Sequence, residues 1–116
     1  MTQLNLYFSR DEFACKDGCG FDVVDAELLQ VLTDLREHFQ SPVIVKSGCR
    51  CEQHNARIKG SPNSQHLLGK AADIAVTNTP ASEVQDYLLR VYPNTYGIGK
   101  YSIWTHIDVR PEKARW

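Results

Sequence analysis

From Asp25 to Phe39, "DAELLQVLTDLREHF", apolar side chains recur at Leu28, Val31, Leu32, Leu35 and Phe39. Steps of three and four place them on one face of an α-helix. Asp25 stands where a side chain can cap that helix. Pro42 follows soon after, and the unbroken apolar run "VIV" at 43–45 predicts a buried strand. "EQHNARI", 52–58, predicts a second, shorter helix closed by Gly60, followed by a polar loop, "GSPNSQ", at 60–65. "AADIAV", 71–76, predicts another strand. In "NTPASEVQDYLLRVY" the expected N-cap is Thr79, with Pro80 at the first helical position and Val84, Leu88 and Val91 facing inward. "YGIGKYSIWTHIDVRP" predicts two short strands joined by a turn. Residues 1–21 show no sustained period and are expected to form an irregular arm, with Phe8, Phe13 and Phe21 available to a core. Helices on one side of a small, mostly antiparallel sheet make an α+β fold. With 116 residues and no repeat, low-complexity tract or linker, a single domain spanning 1–116 is expected.

Strand alternation then sorts the chemistry. In 71–76, Ala71, Asp73 and Ala75 share one face, and Ala72, Ile74 and Val76 the other. In 105–110, Thr105, Ile107 and Val109 form the more apolar face, while His106, Asp108 and Arg110 fall together opposite. A carboxylate within a run of Ala, Ile and Val is expensive to bury unless its charge is compensated. An arginine, a set of backbone donors or a metal ion would each serve. His66 arrives from the loop just before the first of these strands, and two imidazoles with one carboxylate are a common zinc triad that leaves a fourth position for water. The plainer alternatives are Asp73 paired with Lys70 or an arginine, and His106 as a hydrogen-bonded sheet histidine. His38, at a helix end, suits a surface role or a partner for the helix dipole. His54, on the short helix, is expected to be exposed.

Composition changes the picture mainly by exclusion. Thirteen basic and fourteen acidic side chains give a net charge of −1, so neither a broad nucleic-acid footprint nor membrane insertion is expected. No apolar run approaches the roughly 20 residues that span a bilayer. "MTQLNLYFSRDEF" lacks the basic and apolar regions of a secretory signal, so synthesis in the cytoplasm is expected. Four cysteines, Cys15, Cys19, Cys49 and Cys51, admit three fully paired connectivities. A zinc site of four thiolates is conceivable, but C-x3-C and C-x-C depart from the usual C-x2-C knuckle. Reduced thiols are favoured, or one or two bridges pinning the arm to the loop around Arg50.

"SGCRCEQHN" (47–55), "GSPNSQHLLGKAADI" (60–74) and "THIDVRP" (105–111) resemble, in order, the motif series of the zinc D-alanyl-D-alanine carboxypeptidase family of peptidoglycan metallopeptidases. That family includes phage endolysins, and its strings are SGYRS…N, S-x-H-x-x-G-x-A-x-D and VHVDVR. The resemblance covers nearly the whole chain, from about Phe8 to Trp116. It implies the Hedgehog and carboxypeptidase type of zinc peptidase fold, a Zn2+ cofactor, and His66, Asp73 and His106 as metal ligands. Arg50 matches the family arginine that points at the substrate carbonyl or carboxylate, and Asn55 and Ser64 match substrate-binding positions. Tyr101 and Trp104 are candidates for the cleft wall. The implied activity is hydrolysis, by metal-activated water, of a bond in the stem peptide or crosslink of peptidoglycan. A monomeric carboxypeptidase or endopeptidase is expected, reaching the wall after release, with a holin if phage-encoded. One position departs from the pattern. Many members carry an acid three residues before the last histidine as general base, and here that position is Ile103. Asp108 is the obvious substitute, as base or as a group orienting an imidazole. The departure gives weight to an alternative, a catalytically silent, zinc-stabilised binding module of the same fold.

Overall fold

The apolar stripe of the longest helical run forms α1, Ala26–Phe39. The Asp25 side chain accepts from the Glu27 and Leu28 amides, satisfying two donors that the first turn leaves free. Leu28, Val31, Leu32 and Leu35 are buried, and Phe39 is half-buried at the end of the stripe. Residues 3–116 are described in this computed structural model. After α1 come β1 (Val43–Ser47), α2 (Glu52–Arg57), β2 (Ala71–Val76), α3 (Ala81–Val91), β3 (Gly97–Lys100), β4 (Thr105–Asp108) and β5 (Ala114–Arg115). Two 3-10 turns, Arg10–Glu12 and Gln65–Leu68, lie outside these elements.

The five strands form one sheet in the order β1-β2-β4-β3-β5. Every pairing is antiparallel except β3 with β5. This is the expected α+β class. The core collects one face of that sheet (Val43, Ala72, Ile74, Val76, Ile98, Ile107 and Val109) against the inward stripes of α1 and α3. Phe8 and Phe13 of the N-terminal arm enter the same core and are each 1% exposed, whereas Phe21 stops half-buried. The alternation predicted for 71–76 and 105–110 holds: the other face of β2 and β4 carries the polar side chains.

Several details depart from expectation, among them Ile44 of the strand expected to be buried, which is 50% exposed. Pro80, not Thr79, is the N-cap of α3. Its ψ of 144° is extended, so the helix begins at Ala81, and the Thr79 hydroxyl donates to the Thr77 carbonyl instead. Val91 is 44% exposed because, as the last helical residue, no further turn covers it. The buried edge of α3 includes Gln85, whose amide donates to the carbonyls of Tyr101 and Trp104. The chain leaves α2 through Lys59, at φ 58°, one residue before the Gly60 that was expected to close it. His54 is half-buried rather than exposed. Neither β5 nor the turn at 65–68 announces itself in hydrophobic periodicity, since each is too short to complete a period.

These placements predict contrasting stabilities. Leu32→Ala removes a fully buried side chain and should cost about 2–5 kcal/mol in denaturant unfolding. Val91→Ala should stay within about 0.5 kcal/mol of the parent.

Candidate metal centre

His66 reaches the polar face of the sheet from the 3-10 turn. The Ser64 hydroxyl accepts from the His66 amide at 3.2 Å and sets the start of that turn. Gly69, at φ 70°, swings the chain into β2, and a Cβ there would lie 2.5 Å from the Val23 carbonyl oxygen. The imidazole of His66 is 2% exposed. Its Nδ1 lies 2.6 Å from the Gly48 carbonyl, which can only accept, so Nδ1 carries the proton. In the neutral imidazole Nε2 then carries the lone pair. It is buried and finds no hydrogen-bond partner among the described residues, although Asp73 Oδ2 lies 3.4 Å away. A buried polar atom left unmatched carries a desolvation cost, which a cation placed there would offset.

Strand pairing brings in the other two groups. The β2–β4 register sets Asp73 directly opposite His106, with His106 Nδ1 3.0 Å from Asp73 Oδ1. The second nitrogen, Nε2, is 2.7 Å from Asp108 Oδ2. Asp108 is fully buried. Its carboxylate accepts from the amides of Gly97 and Arg110, both at 3.2 Å, and from the Arg110 guanidinium at 2.8 Å through Nε and NH2. Asp73 is charge-compensated by Arg50, whose NH2 lies 3.3 Å from Oδ2, and not by Lys70. Arg50 is itself braced, donating to the Asn55 amide oxygen at 3.3 Å and the Ser47 hydroxyl at 3.4 Å.

These contacts shift the titrating groups in a consistent direction. Burial alone would raise the Asp73 carboxyl, but His106 and His66 outweigh it and hold the group well below the usual carboxylate range. Asp108 behaves the same way: burial opposes ionisation, and His106 and Arg110 more than reverse it. Burial would lower the His106 imidazole, but Asp108 and Asp73 raise it above its ordinary value.

Ligand atoms of His66, Asp73 and His106 all lie within 4.8 Å of one another. Two imidazole nitrogens and one carboxylate suit Zn2+ and other first-row divalent ions. The lone pair at His66 Nε2 and the Asp108 acceptor behind His106 complete the fit, because a ligating imidazole ordinarily donates its other N–H to such an acceptor. A cleft of about 300 Å3 adjoins the centre, lined by Lys46, Ser47, Asp73, Ile103 and Trp104. Tyr101 stacks on Trp104 with ring centroids 4.6 Å apart.

Of the residues expected to contact substrate, Arg50 and Trp104 meet at this cleft or on Asp73. Asn55 is buried, and its amide donates to the Ser61 carbonyl at 2.8 Å, so it braces the 50–61 segment that carries Arg50. The Ser64 hydroxyl accepts from the His66 amide within the turn before that histidine. Sequence reasoning missed Trp116, whose ring lies 4.8 Å from that of His106 and whose indole N–H donates to the Tyr101 hydroxyl at 3.0 Å. It also missed the two glycines of β3. A Cβ at Gly97 would sit 2.3 Å from Asp108 Oδ2, and one at Gly99 would sit 2.6 Å from Trp116 Nε1. The signal was present as G-x-G paired opposite H-x-D.

A mixed sheet presenting two imidazoles and a carboxylate beside an open cleft defines a candidate divalent-metal centre. Residues 6–108 match the family model described as Peptidase M15. The chain belongs to that family, the zinc D-Ala-D-Ala carboxypeptidase type of metallopeptidase. No curated protein matches the chain.

The pKa directions predict how metal and pH combine. Asp73 and Asp108 are depressed, so their contribution to stability is complete above about pH 4 and is lost as pH falls toward their folded values. His106 is raised, so its contribution is complete below about pH 6.5 and is lost as pH rises through its folded value. A ligating imidazole must surrender a proton, so metal binding strengthens as pH rises. Chelated protein should therefore lose thermal stability as pH rises above about 6.5, while the Tm increment from added Zn2+ grows in the same direction. Scanning calorimetry with and without chelator measures both.

Proposed function

We propose that this metallopeptidase uses Zn2+ to hydrolyse a peptide bond in the stem peptide or crosslink of peptidoglycan, as a murein carboxypeptidase or endopeptidase of the endolysin kind. The observation that carries the metal-dependent part is the buried, unpartnered Nε2 of His66, aimed at Asp73 and across from His106. His66 through Nε2, the Asp73 carboxylate and His106 through Nδ1 would hold the ion. When bound, the ion would supply Lewis acidity to the scissile carbonyl and lower the pKa of water toward neutrality.

The protein's own groups do the rest. Asp108, fully buried and engaged by Arg110 and the Gly97 amide, cannot reach solvent or substrate. It acts as a positioning residue, keeping the Nε2 proton on His106 so that Nδ1 faces Asp73. Arg50 is tethered on three sides beside Asp73 and turns a fixed positive charge toward an oxygen of the substrate, which stabilises charge developing there. Lys46 adds a second cation to the cleft wall. Two cations beside an apolar Ile103 and Trp104 fit a peptide end that carries a carboxylate next to small aliphatic side chains, as stem peptides do.

A second reading has one observation in its favour. Ile103 is 67% exposed at the cleft, where related enzymes carry an acid, and Asp108 is sequestered. A catalytically silent, zinc-stabilised binding module would have this appearance.

Digesting purified murein with zinc-loaded protein, with and without chelator, and weighing the fragments separates the two readings. New, chelator-sensitive peptide fragments are expected, and the cut position identifies the bond. A zinc-loaded protein that releases none is the binding module. Asp108→Asn should weaken metal binding about 10–100-fold by competition titration. Retained metal affinity with lost hydrolysis would instead make Asp108 the base.

A further inference from the structure

A second cluster of metal-ligating side chains lies away from the histidines. Cys15, Cys19 and Cys51 bring their sulfurs within 4.8 Å of one another, and among the described residues none is in a disulfide. Cys15 and Cys51 Sγ are 3.9 Å apart. Two thiolates on one tetrahedral zinc, with Zn–S about 2.3 Å, are separated by about 3.8 Å, whereas bonded sulfurs stand at about 2.05 Å. The Cys51 amide points at Cys15 Sγ from 3.5 Å. The loop from Cys15 to Phe21 is closed by the Cys15 amide on the Phe21 carbonyl at 2.8 Å. It turns through Gly18 and Gly20 at φ 72° and 90°, which lets Cys19 fold back beside Cys15 despite the C-x3-C spacing.

We propose that Cys15, Cys19 and Cys51 bind a second, structural divalent ion of the zinc class, clamping the N-terminal arm to the segment that carries Arg50. The fourth position lies beside Asp17, whose Oδ2 is 3.6 Å from Cys51 Sγ and whose other oxygen is paired with Arg57; that carboxylate or a water completes the shell. Cys49 is not a ligand. Its thiol is buried and donates to the Val23 carbonyl at 2.9 Å, and it lies outside the cluster. The four-thiolate arrangement conceivable from sequence is therefore replaced by three.

The consequence falls on Arg50, which sits between Cys49 and Cys51. The Cys49 amide donates to the Phe13 carbonyl at 2.8 Å, and Gly48 packs so closely on Phe13 that a Cβ would lie 2.8 Å from its oxygen. Cys51 is the N-cap of α2. An ion on Cys51 thus anchors the start of α2 and, through Asn55, one of the braces of Arg50.

This inference does not rest on the hydrolase reading, and its test is kept apart from it. In a His66→Ala background, which disables the histidine centre, protein purified under reducing conditions is titrated with Co2+. Near-ultraviolet thiolate-to-cobalt charge-transfer absorption saturating at one ion per chain is expected, and it should vanish on adding Cys19→Ser, an exposed position. A folded His66→Ala protein that binds no ion, or shows no such band, overturns the proposal. So does peptide mapping that finds Cys15 joined to Cys51 as a disulfide under those conditions. If the serine variant fails to fold, alkylation decides: bound zinc should slow iodoacetamide at Cys19 in the His66→Ala protein, and equal rates with and without chelator refute the site.

Discussion

One partly buried negative charge organises this protein. Asp73 lies in the second strand of the sheet, its neighbours in sequence packed into the core, and such a carboxylate is tolerated only with compensation close at hand. Compensation comes from three directions: His66 from the preceding turn, His106 from the neighbouring strand, and Arg50 from the segment after β1. Each segment reaches Asp73 by a different route, so the charge ties together separate parts of the chain. Among the described residues His66 Nε2 is left without a hydrogen-bond partner, and that deficit is what a divalent ion would fill.

The strands beyond Asp73 form a relay of supports. His106 is held from behind by Asp108, and Asp108 by Arg110 and the Gly97 amide. Gly97 and Gly99 leave room for the Asp108 carboxylate and the Trp116 indole, where any side chain would intrude. Arg110 in turn lies over the Trp116 ring, 5.4 Å from its centroid. β5 carries the chain's final residue back against β3, which is how Trp116 comes to cover His106. A carboxylate so enclosed is fitted to orient an imidazole, because its oxygens are already saturated with donors.

On the opposite flank, the arm that carries no regular period proves to be structural. Phe8 and Phe13 are core residues, and the cysteine-bearing loop behind them sits against the segment holding Arg50. The cation of the candidate site thus depends on packing that begins some forty residues upstream. The cysteines of that region are free thiols, three of them converging, which agrees with the reduced state favoured from the sequence.

Much of this could be read from the chain alone, and the reason is local. α1 with its Asp25 cap, the β2 strand and the opposite faces of 71–76 and 105–110 follow from periodicities of 3.6 and 2, which adjacent residues express by themselves. The ordered strings around His66, Asp73 and His106 carried the family and its metal chemistry for the same reason. What sequence could not convey is what depends on which strands become neighbours. The pairing of Asp73 opposite His106, the burial of Asp108 behind it, the approach of Trp116 and the convergence of three cysteines across 36 residues all arise from register and loop path. Those are decided when the core closes, since sheet order and close backbone approach are set by long-range packing and not by any local pattern.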